Sequence, residues 1–161
     1  MRPRSSLLLI GGVPVVLLAL AACGSGTSTT SPAPAGSGAA TGTIPVTLQE
    51  WAVIPASDTA AAGDVTFQVT NSGPEDPHEF VVLRTDLDAG ALPTDDTGTV
   101  TEEGEGITVV DEIEDIPVGE TQELTVPLTA GKYVLLCNIY DEAESEAHYT
   151  MGMRLNFTVT E

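Results

Sequence analysis

Residues 44–161 predict an all-β domain, a Greek-key β-sandwich of seven or eight strands. Three observations lead there. Short runs alternate apolar and polar residues with a period of two, and β-branched residues are frequent in them. Two further runs are continuously apolar, as expected of central strands buried on both faces. Gly, Pro, Asp and Asn interrupt the runs at the short intervals at which a sandwich must turn.

In chain order, Ile44, Val46 and Leu48 give the first alternating run, and Val65, Phe67 and Val69 the second. Ala62-Gly63-Asp64 and Asn71-Ser72-Gly73-Pro74 supply turn residues on either side of the second run. Phe80–Leu83 reads as a central strand, and Ile107–Val110 is a further candidate. Between them, Thr85–Gly106 is a 22-residue stretch without periodicity. Structureless loops of that length are uncommon, so it is expected to hold a short helix or to be mobile. Leu124, Val126 and Leu128 alternate, Val134–Leu136 is continuously apolar, and Leu155, Phe157 and Val159 close the pattern. Pro117-Val118-Gly119 and Ala130-Gly131 mark the turns among these runs.

Residues 1–43 read as an address and a leash. Arg2 and Arg4 precede a 16-residue apolar run, Leu7–Ala22. The run is shorter than the roughly 20 residues that span a bilayer, and small residues follow it, so it reads as a secretory signal peptide, 1–22. A membrane-anchoring helix is the alternative. Gly24–Thr43 contains only Gly, Ser, Thr, Ala and Pro. Such a segment buries too little apolar surface to offset its ordering entropy and is expected to be a flexible tether, 23–43.

Charge and residue inventory narrow the function. The 161 residues include 24 acidic and 5 basic ones, a formal charge of −19. Without residues 1–22, the 24 acids face only Arg84, Lys132 and Arg154, a net of −21. A surface of that sign repels phosphate, so no nucleic-acid partner is expected; basic proteins are favoured instead. General acidic solubility is the plainer reading of the same charge. Two His and two Cys exclude a four-cysteine iron–sulfur cluster and any site needing three imidazoles.

The chemistry concentrates in four residues. His78 precedes the apolar run Phe80–Leu83, Cys137 ends the run Tyr133–Leu136, and His148 and Met153 follow before the last strand. Taken singly, each has an ordinary reading: a buried small thiol, a solvated imidazole, a core thioether. As an ordered set in an all-β domain they offer one soft thiolate, two imidazoles and a weak thioether, the donors of a mononuclear blue-copper site. Thiolate suits Cu(I), imidazole suits both oxidation states, and a compromise geometry changes little when one electron is gained or lost.

With these residues in view, the sequence resembles the cupredoxins, and specifically small bacterial cupredoxin-domain lipoproteins. The resemblance covers 44–161. It is carried by Val46–Trp51, Val65–Asn71, His78–Leu83, Lys132–Asn138 and His148–Met153. It implies one type 1 copper held by His78, Cys137 and His148, with Met153 as axial ligand and Met151 as its competitor. It also implies that His148 lies near the surface as an electron port. Leu20-Ala21-Ala22-Cys23 resembles a bacterial lipobox, which implies a lipid on Cys23 and anchoring on the extracytoplasmic face of the membrane. The departure from the family is the interval between Cys137 and His148. Ten residues lie between them, against about four in relatives with this signature, and they carry Asp141, Glu142, Glu144 and Glu146.

Two functions follow as expectations. One is a tethered shuttle for single electrons, whose four loop carboxylates steer a basic redox partner such as a c-type cytochrome or a membrane oxidoreductase. The alternative is a cell-surface copper carrier, scavenger or sensor without electron traffic. No enzymatic activity is expected, since nitrite reduction and multicopper oxidation need histidines this chain does not have.

Overall fold

The computed structural model describes residues 42–161. The signal peptide, Cys23 and the tether up to residue 41 lie outside the described residues. The first strand, β1, spans Thr43–Gln49, one residue earlier than the domain boundary expected from the sequence. Strands β2 (Ala52–Pro55), β3 (Thr59–Ala61), β4 (Gly63–Asn71), β5 (His78–Thr85) and β6 (Ile107–Ile116) follow. Then come β7 (Thr121–Leu128), β8 (Gly131–Leu136), a small hairpin of β9 (Tyr140–Asp141) and β10 (Glu146–Ala147), the one-turn helix α1 (His148–Met151), and β11 (Arg154–Thr160).

Nine of these strands form two sheets, ordered β2-β1-β4-β7 and β3-β11-β8-β5-β6. The pairs β1–β4 and β3–β11 are parallel, and the other pairs are antiparallel. The sandwich is as expected, with more strands than seven or eight. Strands β2 and β3 are too short to show a period. They take their conformation from β1 and β11, against which they lie, rather than from any pattern of their own.

The inward residues of both sheets make the core. Ile44, Val46, Leu48, Val65, Phe67 and Val69 from the first sheet meet Phe80, Val82, Leu135, Phe157 and Val159 from the second. The Phe67 ring lies 5.2 Å from Phe80 and 5.6 Å from Phe157, tilted and edge-on respectively, so three aromatic rings lock the layers together.

The opposite face of the second sheet is also covered. Val81, Leu83, Val134 and Leu136 pack with Ala89, Leu92, Val100, Ile107 and Tyr149 in a second apolar cluster. This explains the unbroken apolar runs of β5 and β8: both faces are buried. The covering layer is the stretch expected to be helical or mobile. After Thr85, which ends β5, the stretch to Gly106 contains no helix, only an isolated bridge between Thr94 and Val100. It is placed instead by buried apolar side chains and by side chains that bond its backbone. The Tyr149 hydroxyl donates to the Ala89 carbonyl (2.7 Å) and accepts from Leu92 N–H (3.2 Å). Asn156 accepts from Ala89 N–H (2.8 Å), and Asn138 accepts from Val100 N–H (2.6 Å).

Loops gather where β4 ends and β5 begins. The buried Asn71 amide donates to the carbonyls of Asp76 and Ile116, both at 2.8 Å, and accepts from Gly73 N–H at 2.8 Å. Gly73 sits at φ 54°, and a β-carbon there would come within 2.7 Å of Val118, so this turn requires glycine.

Candidate metal centre

His78 opens β5 and Cys137 directly follows β8, and these two neighbouring strands run antiparallel with Val81 opposite Leu136. Sheet register thus brings an imidazole and a thiol to the same end of the sandwich. Strand β11 pairs with β8 through Arg154 opposite Leu136, and the pairing continues one step further as Cys137 N–H donates to the Met153 carbonyl at 3.0 Å. The ten residues after Cys137 fold into the β9–β10 hairpin, which delivers His148 at the start of α1. The His148 N–H donates to the Ile139 carbonyl (2.9 Å), and Met153 N–H donates to the His148 carbonyl (3.1 Å).

All four sequence-predicted residues are enclosed: His78, Cys137 and Met153 are 0% exposed and His148 is 1% exposed. Met151, the competing thioether, is 41% exposed and belongs to the surface. The Nδ1 atoms of His78 and His148 lie 3.2 Å apart, and Cys137 Sγ lies 3.4 Å from His148 Nδ1. The three donor atoms fall within 4.8 Å of one another. Cys137 is a reduced thiol, and its sulfur accepts from Glu79 N–H at 3.3 Å.

No known family model matches the sequence, and no curated protein matches it. Solved structures do. Na-dithionite-reduced auracyanin from the photosynthetic bacterium Roseiflexus castenholzii is 21% identical over 77% of this chain and 100% of its own, with a TM-score of 0.55. Auracyanin B is 19% identical over 74% of this chain and 89% of its own, at 0.51. An azurin from the obligate methylotroph Methylomonas sp. strain J is 18% identical over 76% of this chain and 100% of its own, at 0.50. The chain has the cupredoxin fold.

Within this cupredoxin fold the donor set suits a soft transition metal. Two of the three donor–donor distances, 3.2 and 3.4 Å, are of the size expected between atoms sharing one metal at bond lengths of about 2.0–2.3 Å. Burial, followed for His78 by the charge of His148, pushes both imidazoles below their ordinary value, so they are neutral and able to donate a lone pair. Burial also pushes the Cys137 thiol up to about 12. Without a metal it stays protonated and inert; a bound cation displaces the proton outright.

Several contributing residues carried no signal that the sequence reading used. Trp51, in the β1–β2 turn, lies edge-on to the His148 ring with centroids 5.1 Å apart. It lies against the imidazole that the family resemblance places near the surface and covers one side of it. The cover is further fixed by Gly152, where a β-carbon would meet the Trp51 carbonyl at 2.9 Å. Glu79 reaches back to accept from Asn138 N–H at 2.6 Å, tying the residue after one candidate ligand to the residue after another. Burial, reinforced by Glu102, Glu112 and Glu114, raises the Glu79 carboxyl to about 7. A lone Trp closing an alternating run and a Glu directly after a candidate ligand were the available clues.

The four loop carboxylates divide. Glu142 and Glu144 are exposed, while Asp141 and Glu146 are partly covered. Asp141 builds the hairpin turn, accepting from Ala143 N–H (2.6 Å) and Glu144 N–H (3.1 Å). The neighbouring charges of Glu146, Asp141 and Asp76 raise the Glu144 carboxyl above its ordinary range. The hairpin and the Asp76 loop therefore form one acidic rim at the site end of the domain.

Proposed function

We propose that this protein is a blue-copper electron carrier, with one type 1 copper held by His78, Cys137 and His148 and a weak axial contact from Met153. The observation that carries this reading is the convergence of one buried sulfur and two buried imidazole nitrogens to within 4.8 Å. Copper would supply the one-electron couple Cu(II)/Cu(I). The chain supplies the rest. Cys137 and His78 sit on paired strands whose register resists movement, so the donor atoms stay put when the charge changes. Trp51 and the core exclude water from the donors. Both histidines of the chain belong to this centre, which leaves no imidazole for a second, catalytic copper.

The working arrangement we infer is a domain on a leash: lipid on Cys23, a tether to residue 43, and a copper domain free to meet partners on the extracytoplasmic face of the membrane. The lipobox-like Leu20–Cys23 and the Gly/Ser/Thr/Ala/Pro composition of the tether support it. The partner is a basic redox protein, such as a c-type cytochrome or a membrane oxidoreductase, attracted by the acidic rim.

Stopped-flow electron exchange between the copper-loaded protein and a basic c-type cytochrome tests this. The rate should fall as salt rises, since the Debye length shrinks from about 10 Å at 0.1 M to about 3 Å at 1 M. Glu142→Gln with Glu144→Gln should slow association more than Glu103→Gln with Glu105→Gln, a pair of equal charge outside the hairpin. Equal slowing would leave only a uniformly acidic surface. Copper that binds but exchanges no electrons would instead favour the carrier or scavenger reading.

A further inference from the structure

The turn between β1 and β2 places a carboxylate behind one of the candidate ligands. Glu50 Oε1 accepts from Glu75 N–H at 3.0 Å and Asp76 N–H at 2.9 Å, which fixes the group in the loop cluster. From there Oε1 lies 3.9 Å from His78 Nε2, with the two side chains 12% and 0% exposed. Both His78 Nε2 and Glu50 Oε2 are buried without a hydrogen-bond partner. Buried polar groups in native proteins are almost always paired, so an orphan imidazole nitrogen with a buried carboxylate as its neighbour needs an explanation.

The spacing limits the explanations. A gap of 3.9 Å is too long for a hydrogen bond. One bridging water can span it, since two contacts of about 2.8 Å that meet near a right angle at the water cover about 4 Å. His78 Nε2 can therefore reach the carboxylate through such a water or by direct contact after a side-chain movement of about 1 Å. A neutral imidazole carries one N–H, on either nitrogen. With the proton on Nδ1, a lone pair on Nε2 would face the negative carboxylate, an electrostatically unfavourable arrangement. With the proton on Nε2, the contact becomes a charge-assisted hydrogen bond.

We propose that Glu50 is a positioning residue for the metal centre: its carboxylate accepts the Nε2 proton of His78 and so leaves His78 Nδ1 as a bare lone pair directed at the donor cluster. A carboxylate behind a ligating imidazole fixes its tautomer and strengthens it as a donor. In the metal-free protein the consequence reaches the second imidazole. His78 Nδ1 can then only accept, so across the 3.2 Å contact His148 Nδ1 is the donor. The two histidines hold opposite tautomers, and His78 is the one ready to bind.

The inference rests on the proposed metal centre for its purpose but can be read without copper. Nitrogen-15 NMR of the imidazoles in the metal-free full chain should show His78 as the Nε2–H tautomer and His148 as Nδ1–H. In Glu50→Ala, His78 should lose that preference and populate both forms. Glu50→Gln keeps a carbonyl oxygen able to accept, so it should retain the tautomer while removing the charge. In the copper-loaded protein that loss should shift relative affinity toward Cu(I) by roughly tenfold, which is about 59 mV in a one-electron potential. A wild-type His78 carrying its proton on Nδ1, or an unchanged Nε2–H in Glu50→Ala, would overturn the assignment. An unmoved potential in Glu50→Gln would overturn its electrostatic part. If the tautomers are as stated but copper gives no thiolate absorption, the copper reading fails and the role of Glu50 stands.

Discussion

The two halves of the candidate centre are held by different means. His78 opens β5 and Cys137 directly follows its neighbour β8, so their positions follow from a register that the whole core enforces. His148 comes from a hairpin and a four-residue helix, too short to be stable alone. Its support is lateral. The next residue, Tyr149, is buried in the second apolar cluster and bonds the backbone of the Thr85–Gly106 layer. The Arg154 guanidinium lies over the Tyr149 ring, 4.8 Å from its centroid, and donates to the Tyr149 carbonyl. The lesson is that a segment without regular structure positions a ligand as definitely as a strand does, provided its backbone groups are satisfied by side chains.

Breaking the strand-held half should cost most. Phe80→Ala removes a fully buried ring that contacts Phe67 across the sheets and lies two residues from His78. It should destabilise the fold by about 3–5 kcal/mol in chemical denaturation and loosen His78 and Cys137 together. Trp51→Ala, at a half-buried position in a turn, should cost less stability while opening His148 to solvent.

Glu79 gives the same half a pH signature in the metal-free protein. Its folded value of about 7 lies above the ordinary 4.5, so the unfolded chain releases this proton first. Its contribution to stability should therefore fall as pH rises from 4.5 to 7 and then level off. The total is on the order of 3 kcal/mol at 1.36 kcal/mol per pKa unit. Glu79→Gln, which keeps an acceptor for Asn138 N–H, should be closest to wild type at pH 4 and gain relative stability up to pH 8. A difference between the two proteins that is constant with pH would contradict the assignment.

Breaking the loop-held half should be milder and more local. Tyr149→Phe removes one hydroxyl and strands the Ala89 carbonyl and Leu92 N–H, a loss of about 1–3 kcal/mol. Amide hydrogen exchange should rise in 85–106 and around His148 but not in β5 or β8. Exchange spread evenly over the domain would mean the two halves are not separately supported.

The smallest effect expected is at the thioethers. Met153→Leu should keep the metal and raise the potential, because losing a weak axial donor destabilises Cu(II) more than Cu(I). Met151→Leu, on the surface, should change little. Reversed results would reassign the axial position.

The same contrast explains what could be read from the sequence. Strand-held features were legible because burial imposes a period: the alternation at Ile44–Leu48 and Val65–Val69, the doubly buried runs at β5 and β8, and the candidate ligands at their ends. Met153 was separable from Met151 through the family resemblance, and the burial of the two agrees with that choice. What depended on side chain-to-backbone bonds left no period. Thr85–Gly106 was not recognisable as an ordered layer, because Tyr149, Asn138 and Asn156 order it from elsewhere in the chain. The Trp51 cover over His148 comes from a turn nearly a hundred residues away in sequence. The hairpin in the ten-residue interval was hidden because two strands of two residues are too short to alternate.

The central claim is that Cys137, His78 and His148 form one copper centre, and a Cu(II) titration of the full chain followed by visible absorption and EPR tests it most directly. A single equivalent should bind and produce an intense blue or green thiolate-to-copper band, and Cys137→Ser should lose that band while keeping the β-sheet circular dichroism. A wild-type protein that binds Cu(II) without colour, or a Cys137→Ser variant that retains the band, would contradict it.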